Sequence, residues 1–222
     1  MVALRRHQLV RLNAAGWAAL QERPWDDAAR DCLAHWATHH LPLVVTQQRG
    51  DLSDERLALG LPAPLQWQRR RLALQASLRD VLYFDEFPAA ADVTPLLPAA
   101  VRASWRLLVQ RLEHLAGVPR VYGSVGWQRL TGLTYLHAAS DVDLRLSATD
   151  AAAADAVAAS LNGAPLAAPR IDGELVFPDG SAVAWREWLA WRARRVDRVL
   201  VKRLHGVAME SGDAWLGEGL SC

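Results

Sequence analysis

Residues 118–146 read VPRVYGSVGWQRLTGLTYLHAASDVDLRL and carry the strongest structural signal in the chain. The apolar segment 118–122 predicts a short strand that runs into the Gly-Ser pair at 123–124. A helix is predicted over 127–131. Polar and apolar residues then alternate from 141 to 146, and this period of two predicts a half-buried strand. The segment therefore predicts a strand, a glycine turn, a helix and an acidic strand, in that order.

The acidic strand carries Asp141 and Asp143 two residues apart. Residues i and i+2 of a strand project from the same face, so both carboxylates are predicted to point one way. Two carboxylates held this close repel each other unless a positive charge lies between them. Mg²⁺ takes oxygen ligands and is commonly held by one or two carboxylates together with substrate phosphates. Asp141 and Asp143 are therefore the predicted catalytic pair and the predicted ligands of Mg²⁺ or another divalent cation.

Gly123 and Ser124 form the candidate triphosphate-binding turn. A glycine between a strand and a helix lets the backbone approach a ligand closely, and the first N–H groups of a helix attract anions. Ser124 adds a hydroxyl group for a terminal phosphate. Each motif is common by chance, and a solvated strand face is the ordinary alternative for Asp141 and Asp143. The order of the two motifs along the chain favours the functional interpretation.

A third metal carboxylate is expected on the predicted strand 171–177, where alternation places Asp172 and Glu174 on one face. Spacing does not separate these two candidates. Glu174 is preferred because a regular apolar run follows it, Asp172 is close behind, and Glu187 is a weaker candidate. The ordinary alternative for this face is the solvent side of a hairpin.

Three cations accompany these acids: Arg129 after the Gly-Ser turn, Arg145 on the acidic strand, and Lys202, the single lysine of the chain. Arg129 and Lys202 are the predicted triphosphate contacts. A surface cation is the ordinary alternative for each, and Lys202 is the strongest exception because it interrupts apolar sequence.

The composition excludes several classes of protein. The net charge of +1 argues against a dedicated nucleic-acid binder, and no run approaches the roughly 18 apolar residues of a membrane span. The N-terminus has no apolar segment typical of a signal peptide. Cys32 and Cys222 lack metal-ligand spacing, and the seven histidines show no zinc pattern. These observations predict a reduced, cytoplasmic protein with neither nucleic-acid nor membrane partners.

The predicted fold class is α+β with two domains. Residues 1–90 are expected to form a small α/β domain, residues 96–210 a mixed sheet with flanking helices, and residues 211–222 a C-terminal tail. The proline-spaced stretch 87–98 has the composition of a linker, and residues 59–64 have that of a turn or loop.

The stretch 121–136 together with 140–144 resembles the phosphoribosyl-dephospho-CoA transferase of malonate decarboxylase, also called its holo-acyl-carrier-protein synthase. The resemblance covers nearly the whole chain, although only the Gly-Ser to Asp-x-Asp portion is specific. Sixteen residues separate Ser124 from Asp141, a longer gap than is usual in the wider nucleotidyltransferase superfamily. Further similar segments are 6–7, 60–64, 172–174, 183–187 and 199–202.

The resemblance implies a nucleotidyltransferase fold of the DNA-polymerase-β type, with Asp141 and Asp143 as the catalytic aspartates. It implies that triphosphoribosyl-dephospho-CoA donates its 2'-(5-phosphoribosyl)-3'-dephospho-CoA group to a serine of the acyl carrier subunit of malonate decarboxylase, with release of pyrophosphate. Two alternatives stay open: another metal-dependent nucleotidyltransferase that adenylylates a small molecule or a protein, and a catalytically inactive nucleotide-binding module.

Overall fold

The computed structural model describes residues 4–48, 55–165, 168–212 and 214–216. Helices combine with one antiparallel and one mixed sheet, so the α+β prediction is confirmed. Within the described residues, no helix has both the length and the apolar character needed to cross a membrane. The chain divides into two compact units, the first formed by Met1–Phe87, Leu130–Tyr135 and Leu204–Gly206, the second by Pro88–Arg129, Leu136–Arg203 and Val207–Cys222.

The first unit contains a five-stranded antiparallel sheet in the order β4-β3-β2-β1-β5. Its helices begin at side-chain caps: Asn13 accepts from the Gly16 N–H, and Asp26 accepts from the Ala29 N–H at the start of the second helix. The elements are β1 (Leu9–Leu12), α1 (Ala14–Gln21), α2 (Asp27–Thr38), β2 (Leu43–Val45), β3 (Arg56–Pro62), β4 (Arg71–Ser77) and β5 (Val81–Asp85).

The predicted turn at 59–64 is wrong over its first four residues, which end strand β3. Leu57, Leu59 and Leu61 are buried in alternation, and this period of two is the strand signal that the Gly-Leu-Pro sequence obscured. Pro62 is tolerated because it is the last residue of the strand.

The predicted linker at 87–98 is also wrong, because residues 88–98 belong to the second unit and form part of its packed structure. A 3₁₀ helix covers Ala90–Leu96, and Ala90 and Val93 are fully buried in the core. The Ala90 N–H donates to the Pro119 carbonyl at 2.8 Å. Proline-rich sequence here marks a short 3₁₀ helix with an apolar side rather than a solvated connection.

The second unit contains a six-stranded mixed sheet in the order β11-β10-β9-β8-β7-β6, in which only β7 and β8 are parallel neighbours. Its elements are α3 (Arg102–Ala116), β6 (Arg120–Tyr122), α4 (Gly123–Thr131), β7 (Val142–Ser147), α5 (Ala151–Asn162), β8 (Ile171–Val176), β9 (Ala182–Ala184), α6 (Trp185–Arg192), β10 (Val199–Lys202) and β11 (Val207–Glu210).

One face of this sheet is apolar and the other is polar. Val142 and Leu144 of β7 and Leu175 of β8 are fully buried in the core with residues of α3, α5 and α6. Asp143 and Asp172, which alternate with these residues on the same strands, are only half-buried. The alternation that makes β7 a half-buried strand therefore also places its acid on the polar face.

Strand β8 depends on a glycine at its centre. Gly173 has a φ of +139°, and a Cβ built there would lie 2.0 Å from the Leu144 carbonyl oxygen of β7. Leu144 and Gly173 are register partners in the parallel β7–β8 pair. Only a residue without a side chain lets the two acidic strands approach here.

We predict that Gly173→Ala lowers the free energy of unfolding of the second unit by ~3 kcal/mol or more, because backbone strain adds to a clash with strand β7. Gly180→Ala is the matched control, since Gly180, in the turn before β9, also has a positive φ of +82° but its Cβ would meet nothing within 4 Å. Backbone strain alone costs it about 1–2 kcal/mol. Denaturant unfolding measures both, and equal losses would contradict the role given to Gly173.

Candidate active site

Gly123 lies beside the acidic residues on the polar face of the sheet. Strand β6 ends at Tyr122, and Gly123, with a φ of +60°, starts helix α4. Antiparallel pairing places Tyr122 opposite Asp143. A Cβ built on Gly123 would lie 2.0 Å from the Asp143 carboxylate oxygen Oδ2. The absence of a side chain at Gly123 is therefore what lets the Asp143 carboxylate lie against the start of α4.

The start of α4 supplies hydrogen-bond donors. The first N–H groups of any α-helix have no partner within the helix, and the helix dipole gives this end a partial positive charge. Ser124 lies half-buried in the first turn. This helix was predicted to start at 127, whereas it begins at Gly123. The candidate phosphate turn is thus the first turn of α4 itself.

Three aspartates lie together where β7 and β8 begin. Because these strands are parallel and in register, Asp143 lies opposite Asp172. Asp141 lies one residue before β7. Its Oδ2 and that of Asp172 share one partner, Arg170, which connects the two carboxylates. The structure therefore brings Asp141, Asp143 and Asp172 to one end of the sheet, beside Gly123.

Arg170 is the site residue that sequence analysis missed. Its Nη2 and Nε donate to Asp141 Oδ2 at 2.6 and 3.1 Å, and Nη2 donates to Asp172 Oδ2 at 3.3 Å. The hydrogen bond and charge of Asp141, followed by the charges of Asp172 and Asp143, raise the pKa of Arg170. The signal that sequence offers is spacing alone, since Arg170 lies two residues before Asp172 and residues i and i+2 share a face.

Glu174, the preferred third carboxylate in sequence analysis, lies with a different partner. Its side chain is buried, and Lys202 Nζ donates to Glu174 Oε1 at 2.6 Å. The two residues belong to β8 and β10, with β9 between them. Ala184 of β9 is opposite Glu174, and Ala182 is opposite Lys202. The small alanine side chains leave space for the long ones to meet across β9, so the predicted metal ligand and the predicted phosphate ligand form an ion pair.

The remaining candidates are distributed over neighbouring elements. Arg129 lies in the last turn of α4, where its Nε donates to the Asp92 carbonyl at 3.2 Å. Arg129 lies six positions after Gly123, about 9 Å along the helix axis. Arg145 is opposite Glu174 in the β7–β8 register. Glu187 lies on α6 and accepts from the Leu200 N–H at 3.4 Å.

The aspartates fit a divalent cation that is completed by substrate. Across the described parts of the chain, no three His, Cys, Asp or Glu side chains are arranged to hold a metal ion by themselves. Mg²⁺ is usually held by one or two carboxylates plus substrate phosphates rather than by a protein cage. Asp141 and Asp143 provide hard oxygen donors, and the side chain of Asp141 is 33% exposed. The donor chemistry and access therefore suit Mg²⁺.

Comparison with protein families gives matches to both units. The family model described as "Phosphoribosyl-dephospho-CoA transferase MdcG N-terminal domain" matches residues 5–87. The model described as "Phosphoribosyl-dephospho-CoA transferase MdcG C-terminal domain" matches residues 86–213, which include every candidate site residue. No solved structure matches the chain.

Curated relatives carry the same name. A phosphoribosyl-dephospho-CoA transferase of Xanthomonas axonopodis pv. citri (strain 306) is 37% identical over 199 residues, 89% of each chain. One of Bradyrhizobium diazoefficiens is 35% identical over 189 residues, 82% of this chain and 80% of its own. One of Pseudomonas putida (strain W619) is 32% identical over 197 residues, 81% of this chain and 85% of its own. The chain belongs to the phosphoribosyl-dephospho-CoA transferase family.

Proposed function

We propose that this protein transfers the 2'-(5-phosphoribosyl)-3'-dephospho-CoA group from triphosphoribosyl-dephospho-CoA to a serine of the acyl carrier subunit of malonate decarboxylase, with release of pyrophosphate. Membership in the transferase family supports the donor group. The structural observation that carries the proposal is the Asp143 carboxylate lying against Gly123 at the start of α4. This contact unites a metal-binding acid with a helix end that attracts phosphate.

The acids of this site have distinct roles in the proposal. Asp141 and Asp143 hold Mg²⁺ or another divalent cation, which supplies positive charge to the phosphates and to the departing pyrophosphate. Asp172 is the third carboxylate, because it lies opposite Asp143 and shares Arg170 with Asp141. Glu174 is the weaker choice, since the Lys202 ammonium already compensates its charge.

The helix start and the cations orient the donor. The first N–H groups of α4 and the Ser124 hydroxyl donate to phosphate oxygens of the triphosphate. Lys202 and Arg129 add positive charge farther from Gly123. In the reaction, the serine oxygen of the carrier bonds to the α-phosphorus, the bond from that phosphorus to the β-phosphate bridging oxygen breaks, and the hydroxyl proton passes to solvent. Positioning and charge stabilisation then supply the catalysis.

Mass spectrometry of the apo carrier subunit tests the reaction directly. Incubation with precursor, Mg²⁺ and this protein is expected to add one phosphoribosyl-dephospho-CoA group to the carrier and to release pyrophosphate. Modification by ATP instead of the precursor would support the alternative adenylylating activity. Binding of precursor without Mg²⁺-dependent pyrophosphate release would indicate an inactive nucleotide-binding module.

In the same assay, Asp141→Asn and Asp143→Asn are each expected to lower the transfer rate by ~100-fold or more, since even the outer partners of metal ligands typically contribute 10–100-fold. Asp197→Asn is the control, because Asp197 is an exposed carboxylate between α6 and β10. It is expected to retain the wild-type rate. Undiminished transfer by both site variants would remove the metal role of these aspartates.

The contact between Gly123 and Asp143 has its own test. Gly123→Ala is expected to lower the transfer rate on the order of 100-fold, because the added Cβ displaces the Asp143 carboxylate by an ångström or more. Gly132→Ala is the matched control: Gly132 has a φ of +72°, but its Cβ would meet nothing within 4 Å. Gly132→Ala has the same backbone strain of about 1 kcal/mol as Gly123→Ala, and it is expected to keep the wild-type transfer rate. Equal rates for the two variants would contradict the proposed close contact.

A further inference from the structure

Arg170 contacts carboxylate oxygens of the aspartates that are proposed to bind the metal ion. Its guanidinium donates to Oδ2 of Asp141 and to Oδ2 of Asp172. The second oxygen of Asp172, Oδ1, accepts from the Gly173 N–H at 2.9 Å, and this bond fixes the orientation of the carboxylate. Arg170 thus supplies the positive charge that neighbouring carboxylates require when no metal ion is present.

A divalent cation and this guanidinium compete for the acids. Both are attracted to the same carboxylate oxygens, and two cations held side by side repel each other. Coordination of a metal ion through Oδ2 of Asp141 or Oδ2 of Asp172 therefore requires that the Arg170 side chain withdraw.

The structure allows the side chain of Arg170 to leave without moving the strand. Its backbone carbonyl accepts from the Val142 N–H at 2.9 Å, which fixes the main chain beside β7. The side chain is 58% exposed. Exposed ion pairs are weak and exchange readily with solvent. The backbone is therefore held in place while the guanidinium is free to rotate away.

We propose that Arg170 is an internal counter-cation that holds Asp141 and Asp172 in the metal-free protein and is displaced when a divalent cation binds. This inference rests on the proposed metal site. Displacement has a measurable consequence, because breaking the Arg170 contacts weakens metal binding by the wild-type protein. A variant without the guanidinium has no such contacts to break on metal binding, and it also lacks one nearby positive charge.

Titration of the whole protein with Mn²⁺, followed by electron paramagnetic resonance of the free ion, tests the proposal. Arg170→Gln is expected to bind Mn²⁺ roughly three- to tenfold more tightly than wild type, given the modest strength of exposed ion pairs and one fewer repulsive charge. Thermal unfolding without metal gives the second readout. The variant is expected to unfold at a lower temperature than wild type and to gain more from saturating Mn²⁺.

Arg192→Gln is the matched control. Arg192 grips Asp155 through Nε at 3.0 Å and Nη2 at 2.9 Å, so the substitution removes the same charge and the same kind of contact from the α5–α6 pair. Its Mn²⁺ affinity is expected to equal that of wild type. Equal or weaker Mn²⁺ binding by Arg170→Gln than by wild type would overturn the proposed displacement of Arg170. In that case, Mn²⁺ binding by wild type that Asp141→Asn abolishes would still support the proposed metal site. Lack of Mn²⁺ binding by both wild type and Arg170→Gln would overturn this inference. The proposed function, in which substrate phosphates complete the metal site, would still be decided separately by the transfer assay.

Discussion

The candidate site depends on one close approach, that of the Asp143 carboxylate to the Cα of Gly123. Any Cβ at Gly123 would overlap the Asp143 carboxylate and displace it, and it would stand on a residue with a φ of +60°. The contact places a negative charge next to the partial positive charge of a helix start. It also places an acid that suits a divalent cation beside donors that suit phosphate, so that the proposed metal ion and the proposed triphosphate share one region.

Strand directions explain why these groups meet. Strand β6 runs antiparallel to β7, so the end of β6 and the start of α4 lie beside the beginning of β7. Strand β8 runs parallel to β7 and begins at the same edge, which adds Asp172 and Arg170. Gly173 allows the two acidic strands to pair closely. The two glycines therefore have different roles: Gly173 permits close pairing of the strands, and Gly123 permits close approach of the Asp143 carboxylate.

Much of this arrangement was predictable from local sequence patterns. The period of two in β7 gave the strand and its polar face, and the residues flanking Gly123 and Ser124 gave the strand-to-helix turn. The cap at Asp26 was likewise readable, since it involves residues three apart. In each case the determining interaction lies within a few residues along the chain.

Contacts across strands were not predictable in the same way. The pairing of Glu174 with Lys202 depends on an intervening strand of alanines and joins residues 28 positions apart. The bond of Arg170 to Asp141 spans 29 positions. Sequence spacing does not determine register between distant strands, so it separated neither Asp172 from Glu174 nor Arg170 from other surface arginines. The strand at 56–62 was misread because Gly60 and Pro62 masked a buried alternation of leucines.

The most direct test is to crystallise the protein with Mn²⁺ and the triphosphate precursor and to record diffraction at the manganese absorption edge. This measurement locates the metal ion relative to the acid pair and the triphosphate relative to the helix start. The account predicts an anomalous peak within about 2.3 Å of carboxylate oxygens of Asp141 and Asp143, with a phosphate of the precursor between that ion and the first N–H groups of α4. A peak bound by Glu174 instead, or a triphosphate bound away from Gly123 and Ser124, would contradict it.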